Sequence, residues 1–180
     1  MVSVQDVIRF WFESLSPSDW FRKSHGLDAR IRGRFMDSHR MITAGELASW
    51  RQQPLGWLAQ VIVLDQFSRN MFRDTPGAFA SDPLALALSQ IALAQGVANE
   101  LSGVQRKFLY MPFMHSESLT VQDEGLGLFA ALDEERTLYF AQQHREIIAR
   151  FGRFPHRNAI LGRASTAEEL AFLKQPGSSF

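Results

Sequence analysis

The sequence predicts an all-α protein, and three observations carry that reading. Apolar residues recur every three or four positions along nearly the whole chain. Helix start and stop chemistry brackets several of these stretches, and no convincing segment alternates apolar and polar residues at period two between turn signals. Roughly eight helices follow. They are expected to form one domain over residues 1–174, with residues 175–180, "QPGSSF", as a disordered tail.

Taken in order, Val4, Val7, Ile8, Trp11 and Leu15 keep the helical spacing behind Ser3, an N-cap with Asp6 three residues on. Leu27, Ile31, Phe35, Ser38 and Ile42 mark a second helix that should stop near Gly45. "PLGWLAQVIVLDQFSRNMF", Pro54 to Phe72, is apolar on all sides from Val61 to Leu64, which predicts a central helix surrounded by neighbours. "DPLALALSQIALAQG" opens with Asp82 as cap and Pro83 at the first helical position and closes at Gly96. Further helices are predicted around Val104 to Met111, Leu119 to Leu132, and Glu135 to Phe151, the last stopped by Gly152 and Pro155. Thr166 and Glu169 form a capping box for a final helix. No pair of segments repeats at the spacing of tetratricopeptide units.

Composition narrows the function. The 180 residues suffice for a core, 46% of them are hydrophobic, and 19 basic residues balance 19 acidic ones. A neutral chain has no overall field to draw it to nucleic acid or to an anionic membrane, so neither is expected as a partner. The absence of cysteine excludes disulfides, thiolate catalysis and cysteine-held metal centres. The start "MVSVQDVIRFWF" lacks a basic leader, and no apolar run approaches the roughly 18 residues of a membrane span, which predicts a cytoplasmic protein. Sixteen of the 19 cations are arginine, a bias that suits bidentate contacts to carboxylate or phosphate and that a GC-rich genome would also produce.

Against this background, polar residues stand where apolar ones belong. Asp65 lies one turn after Val61 and Ile62 in the central helix and must be paired. Arg69 at i+4 is the nearest partner, Arg73 lies one turn on, and a local ion pair is the plain structural alternative to a catalytic role. His144 sits among Phe140, Ile147, Ile148 and Phe151, and Gln122 among Leu119, Leu126 and Phe129. Either can be a satisfied core residue. No acid occurs between Ile147 and Ala167, yet Arg150, Arg153, His156, Arg157 and Arg163 all fall there. Arg150 suits the last turn of its helix. Phe151 and Phe154 should draw the loop to the core, bringing its guanidinium groups toward buried carboxylates such as Asp65 or toward a bound anion. "MHSES" adds His115 and Glu117, a pair too sparse to predict a metal site, and no HExxH, G-x-S-x-G or phosphate-cradling glycine loop is present. No metal and no cofactor are predicted.

The segments "LDQFSRNMFRDTPGAFASDPLALAL", "RKFLYMPFMHSES" and "HREIIARFGRFPHRNAILGRASTAEELAFL" together resemble the bacterial family of domain of unknown function 924. The resemblance implies a tetratricopeptide-like helical array without textual repeats, and no established activity, ligand or catalytic residue. It places the family's polar signature on Asp65, Gln66, Arg69, Asn70, Arg73, His115, Glu117, His144, Arg150, Arg153, His156, Arg157, Asn158 and Arg163. The chain departs at Ser68, where the family usually has proline, and at Asp74, where a glycine is common. A proline-induced kink aiming Asp65 and Arg69 is therefore in question.

Two functions fit these residues. In the first, an interior pocket binds a small phosphate- or carboxylate-bearing molecule. Arg69, Asn70, Arg73, Gln122, Arg150, Arg153, His156, Arg157 and Asn158 contact it, while His144, His115 and Asp65 are candidate catalytic groups. Whether such a pocket would be an enzyme's is left open by the residues. In the second, the same set is an internal network, and a helical groove grips a peptide or partner protein through Trp20, Phe21, Trp50 or Trp57.

Overall fold

In a computed structural model describing residues 2–179, every regular element is helical and no strand occurs among the described residues. The contacts sort into two compact units, residues 1–73 with 77–112, and residues 74–76 with 113–180.

In the first unit, α1 (Val4–Phe12) begins with the expected capping box: Asp6 N–H donates to Ser3 Oγ at 3.2 Å, and Ser3 N–H donates to Asp6 Oδ2 at 2.9 Å. The helix ends at Phe12, and Leu15 is buried in the turn beyond it. α2 (His25–Thr43) buries the anticipated Leu27, Ile31, Phe35, Ser38 and Ile42, and also His39. Gly45 leaves it at φ 79°, a left-handed conformation that favours glycine.

The central segment is α3 (Pro54–Ile62), a π-helical turn Val63–Phe67, and α4 (Ser68–Met71). Val61, Ile62, Val63, Leu64 and Phe67 are fully buried, as the all-round apolar pattern requires. Hydrophobic periodicity alone cannot announce the π turn, because every residue of Val63–Phe67 is buried, Asp65 and Gln66 included, and no exposed face records the extra residue. α5 (Gly77–Ala80) leads into α6 (Asp82–Ala94), whose N-cap is Ser81, one residue earlier than expected. α7 (Gly103–Met114) contains Pro112, the last residue of this unit.

α1 packs on α3, α2 on the π turn and α4, and α6 on α3. Their aromatic side chains meet edge to face: Phe10 and Phe35 have centroids 5.0 Å apart, and Trp11 and Phe108 5.4 Å. The stretch Gly77–Ala94 has the length and mean hydropathy, 1.3 over 18 residues, of a membrane span, contrary to the expectation that no run comes close. A turn at Ser81 divides it, and Asp82 within it is ion-paired.

In the second unit, α8 (Leu119–Ala130) and α9 (Glu135–Phe151) pack against each other across a short connection. Gly125 admits Phe113 so closely that a Cβ there would lie 2.9 Å from Phe113 Cβ. Gly152 caps α9 at φ 68°, with its N–H donating to Ile148 O at 2.8 Å. The loop then turns inward: Phe154 is fully buried with Ile147 and Ile148, and Phe151 and Phe172 pack against the group. A 3-10 turn Pro155–Arg157 and the capping-box helix α10 (Ala167–Phe172) follow. In the expected tail, Ser178 is buried and its hydroxyl donates to Leu173 O at 3.2 Å; Phe180 lies outside the described residues.

Candidate functional site

Three polar groups of the first unit lie on or against the segment that carries Asp65. Asp65, fully buried in the π turn, accepts from Gln66 Nε2 at 2.5 Å and pairs with Arg69 Nη1 at 3.2 Å, the i+4 partner expected of it. Arg69 also donates to the Asp65 carbonyl oxygen at 2.7 Å and forks onto both oxygens of Asp82, at 2.9 and 3.1 Å. Burial alone would lower the Arg69 pKa, but Asp65 and Asp82 outweigh it and hold the guanidinium above its ordinary value. The helix that carries Asp65 is thus reshaped by a π turn, not by a proline at 68.

A second group lies one turn on, where Arg73 grips Asp28 through Nε at 2.7 Å and Nη2 at 2.8 Å while Asn70 donates to Asp28 Oδ1 at 2.8 Å. Burial pushes the Asp28 carboxyl upward, yet its bonds to Arg73 and Asn70 leave it below the usual carboxylate value. The third is His39, whose Nε2 lies 2.9 Å from Ser68 Oγ and 3.3 Å from Ser81 Oγ. Desolvation, helped by Arg40, lowers its pKa.

In the second unit, the arginines of the basic segment find acids that flank it in sequence or lie on the turn before α8. Arg153 forks onto Glu169 at 2.7 and 2.8 Å, and Arg150, half-exposed, pairs with Glu168 at 2.8 Å. Arg163 forks onto Glu117 at 2.7 and 2.9 Å. Asp65 is therefore not the countercharge that these three require. Glu169 also closes the cap of α10, and the Arg153 bond followed by the Thr166 N–H draws its pKa down to about 2. Glu117 accepts from Phe154 N–H at 2.7 Å; burial would raise its pKa, but Arg163 and that N–H bring it below the ordinary value. Fully buried Asn158 joins Arg163 Nε at 2.9 Å to Ser165 Oγ at 3.1 Å. Gln122, expected to contact a ligand, donates instead to Met114 O at 2.7 Å and Ser116 O at 2.8 Å, tying down the turn before α8.

Around Phe154 the remaining polar groups converge. The His115 and His144 rings are 6.2 Å apart, His144 and His156 each lie 5.6 Å from the Phe154 ring, and Arg157 Cζ stands 4.6 Å over it. Arg157 is buried and donates to His115 O at 2.9 Å. His144 Nδ1 lies 2.7 Å from Phe140 O, which makes Nδ1 the donor and Nε2 the acceptor nitrogen of a neutral ring. Burial, then the neighbouring His115, lower its pKa to about 3, against the bond to Phe140. Among the described residues no three metal-ligating side chains come together.

The profile of a bacterial family of proteins of unknown function, DUF924, matches residues 7–177. The chain belongs to that family. It is similar to a solved structure of a protein of unknown function, ATU0120 from Agrobacterium tumefaciens, with 38% identity, a TM-score of 0.91, and coverage of 95% of this chain and 96% of that one. No match was found among the curated proteins.

Within this DUF924 chain, the structure brings Asp65, Arg69, Asn70 and Arg73 into the first unit, and His115, Gln122, His144 and residues 150–158 into the second. Sequence reasoning missed Asp28, His39, Ser81 and Glu168. His39 was discoverable, because it lies on the same α2 stripe as Phe35 and Ile42. The Asp28–Arg73 pair, 45 residues apart, leaves no local pattern.

Proposed function

We propose that this protein binds a small phosphate- or carboxylate-bearing molecule at the histidine and arginine cluster around Phe154. The observation that carries the reading is the convergence of His144, His156 and Arg157 on one buried ring, with His115 beside His144. A histidine that gains a proton there is repelled by the neighbouring cation, and an anion among them turns that repulsion into attraction. Arg69, Arg73, Arg153 and Arg163, each in a two-point grip on a carboxylate, serve the fold in this reading, and Asp65 serves with them. A bound anion opposes the causes that hold His144 neutral, so binding draws a proton onto the cluster. A histidine governed in this way is suited to acid–base chemistry, with His144 and His115 as the proton-handling pair. The neutral, cysteine-free composition favours action in the cytoplasm.

Calorimetric titration at pH 6 in two buffers of different ionisation enthalpy tests this with inorganic phosphate, phenyl phosphate and acetate. Saturable heat with proton uptake, lost in His115→Ala, is the expected result. No saturable binding, or binding that survives the substitution, would overturn the reading.

A second reading has its own support. Tyr139 is 55% exposed on α9 beside the partly exposed Phe140, their rings 5.6 Å apart, which suits a tetratricopeptide-like helical pair gripping a peptide. Of the anchors first considered, Phe21 is 64% exposed, while Trp57 is buried and unsuited to the role.

A further inference from the structure

A second candidate site lies in the first unit, where an open depression of about 590 Å³ is lined by Arg32, Met36, His39, Arg40, Thr43 and Phe72, with Ala44 at its end. Arg32 is exposed, but its guanidinium is not loose: Nη2 donates to Met71 O, and Cζ stands 5.9 Å over the Phe72 ring. No carboxylate among the described residues pairs with Arg32. Arg40 has only a long contact of 3.5 Å to Asp37, both side chains being largely exposed. Met36 and Phe72 supply an apolar surface between these cations.

His39 gives the depression its polar floor. The residue is 8% exposed and its ring meets Phe72 edge to face at 5.2 Å. Nε2 is engaged by the hydroxyls of Ser68 and Ser81, so the ring nitrogen left for a ligand is Nδ1. When a serine hydroxyl donates to Nε2, the proton of the neutral imidazole sits on Nδ1, which becomes a donor. Two guanidinium groups and one imidazole N–H around an apolar surface suit a molecule with an anionic end and a flat apolar body.

We propose that this depression binds a small aromatic anion, its phosphate or carboxylate held by Arg32, Arg40 and His39 Nδ1–H and its ring lying against Met36 and Phe72. The site is independent of the cluster around Phe154, because every residue named belongs to the first unit.

The test uses full-length protein with ¹⁵N-labelled histidine rings, the His39 signals being assigned from His39→Gln. Phenyl phosphate, benzoate, inorganic phosphate and benzyl alcohol are titrated separately. Phenyl phosphate or benzoate should move the His39 signals saturably. Arg32→Ala should weaken that binding by about tenfold or more, the loss of a charge-assisted contact. The same weakening is expected in Arg40→Ala, whose exposed side chain leaves folding unaffected, and thermal unfolding of both variants confirms that they are folded. Inorganic phosphate should bind more weakly, and benzyl alcohol should not saturate. The proposal is overturned if neither aromatic anion moves His39, if benzyl alcohol binds as tightly as phenyl phosphate, or if both arginine variants keep full affinity. A response confined to His115, His144 or His156 would likewise overturn it, while supporting the reading of the other cluster.

Discussion

Glu169 shows how one carboxylate can hold two elements. It accepts the Thr166 N–H at the start of α10 and both donors of the Arg153 fork. Glu169→Gln should destabilise the protein by about 1 kcal/mol at pH 7, the scale of a lost cap. Its folded-state pKa lies near 2, below the ordinary value of 4.5, so the stabilisation is complete above about 4.5 and fades as pH falls toward 2. The difference in melting temperature between wild type and Glu169→Gln should therefore be largest near neutrality and nearly vanish at pH 2, as scanning calorimetry would show. His144 obeys the opposite protonation logic: with a folded pKa of about 3, its ring carbon signals should not titrate between pH 8 and 5 in the absence of an anion, and a midpoint near 6.5 would contradict its burial. At this scale the site was partly legible. Asp65 and His144 betrayed themselves by interrupting apolar stripes, and Arg69 by its helical spacing from Asp65. The carboxylate partners of Arg73 and Arg163 are 45 and 46 residues away, and only the fold brings them near.

Elements were more legible than pairings, because caps and periodicity are local. α1 and α10 start with their capping boxes, and α9 runs over the residues its pattern marks. The π turn was invisible because all five of its residues are buried, Asp65 and Gln66 among them, which leaves no exposed face whose rotation would reveal an extra residue. Helix contacts also dictate which glycines matter. At Gly56 on α3, a Cβ would sit 1.7 Å from the Trp50 carbonyl oxygen, backbone that cannot step aside, whereas at Gly33 on α2 nothing lies within 4 Å. Gly56→Ala should cost about 2 kcal/mol or more. Gly33→Ala should stabilise by up to about 1 kcal/mol through helix propensity. Urea denaturation of the two variants checks both signs.

For the molecule as a whole, the shifted groups act in concert. His39 and His144 have lowered pKa values, so unfolding takes up protons below the ordinary histidine value of 6.5. Asp28, Glu117 and Glu169 are also lowered, and they add to the loss below about 4.5. The urea midpoint should be level above pH 7, decline from about 6.5, and fall steeply below 4.5; a rise between 7 and 4.5 would contradict this assignment of charges. The π turn carries a consequence of another kind, for the chain's tolerance of altered length. Excising one residue from Val63–Phe67 would convert the wide turn into an ordinary α-helical one and leave the phase of everything downstream nearly unchanged, because a π turn closes with about one residue more than an α turn. Arg69 would keep its alignment with Asp82, and Arg73 and Asn70 theirs with Asp28, so the wide turn is the place in this segment where one residue can be lost, whereas a deletion inside α3 would rotate those side chains by about 100°.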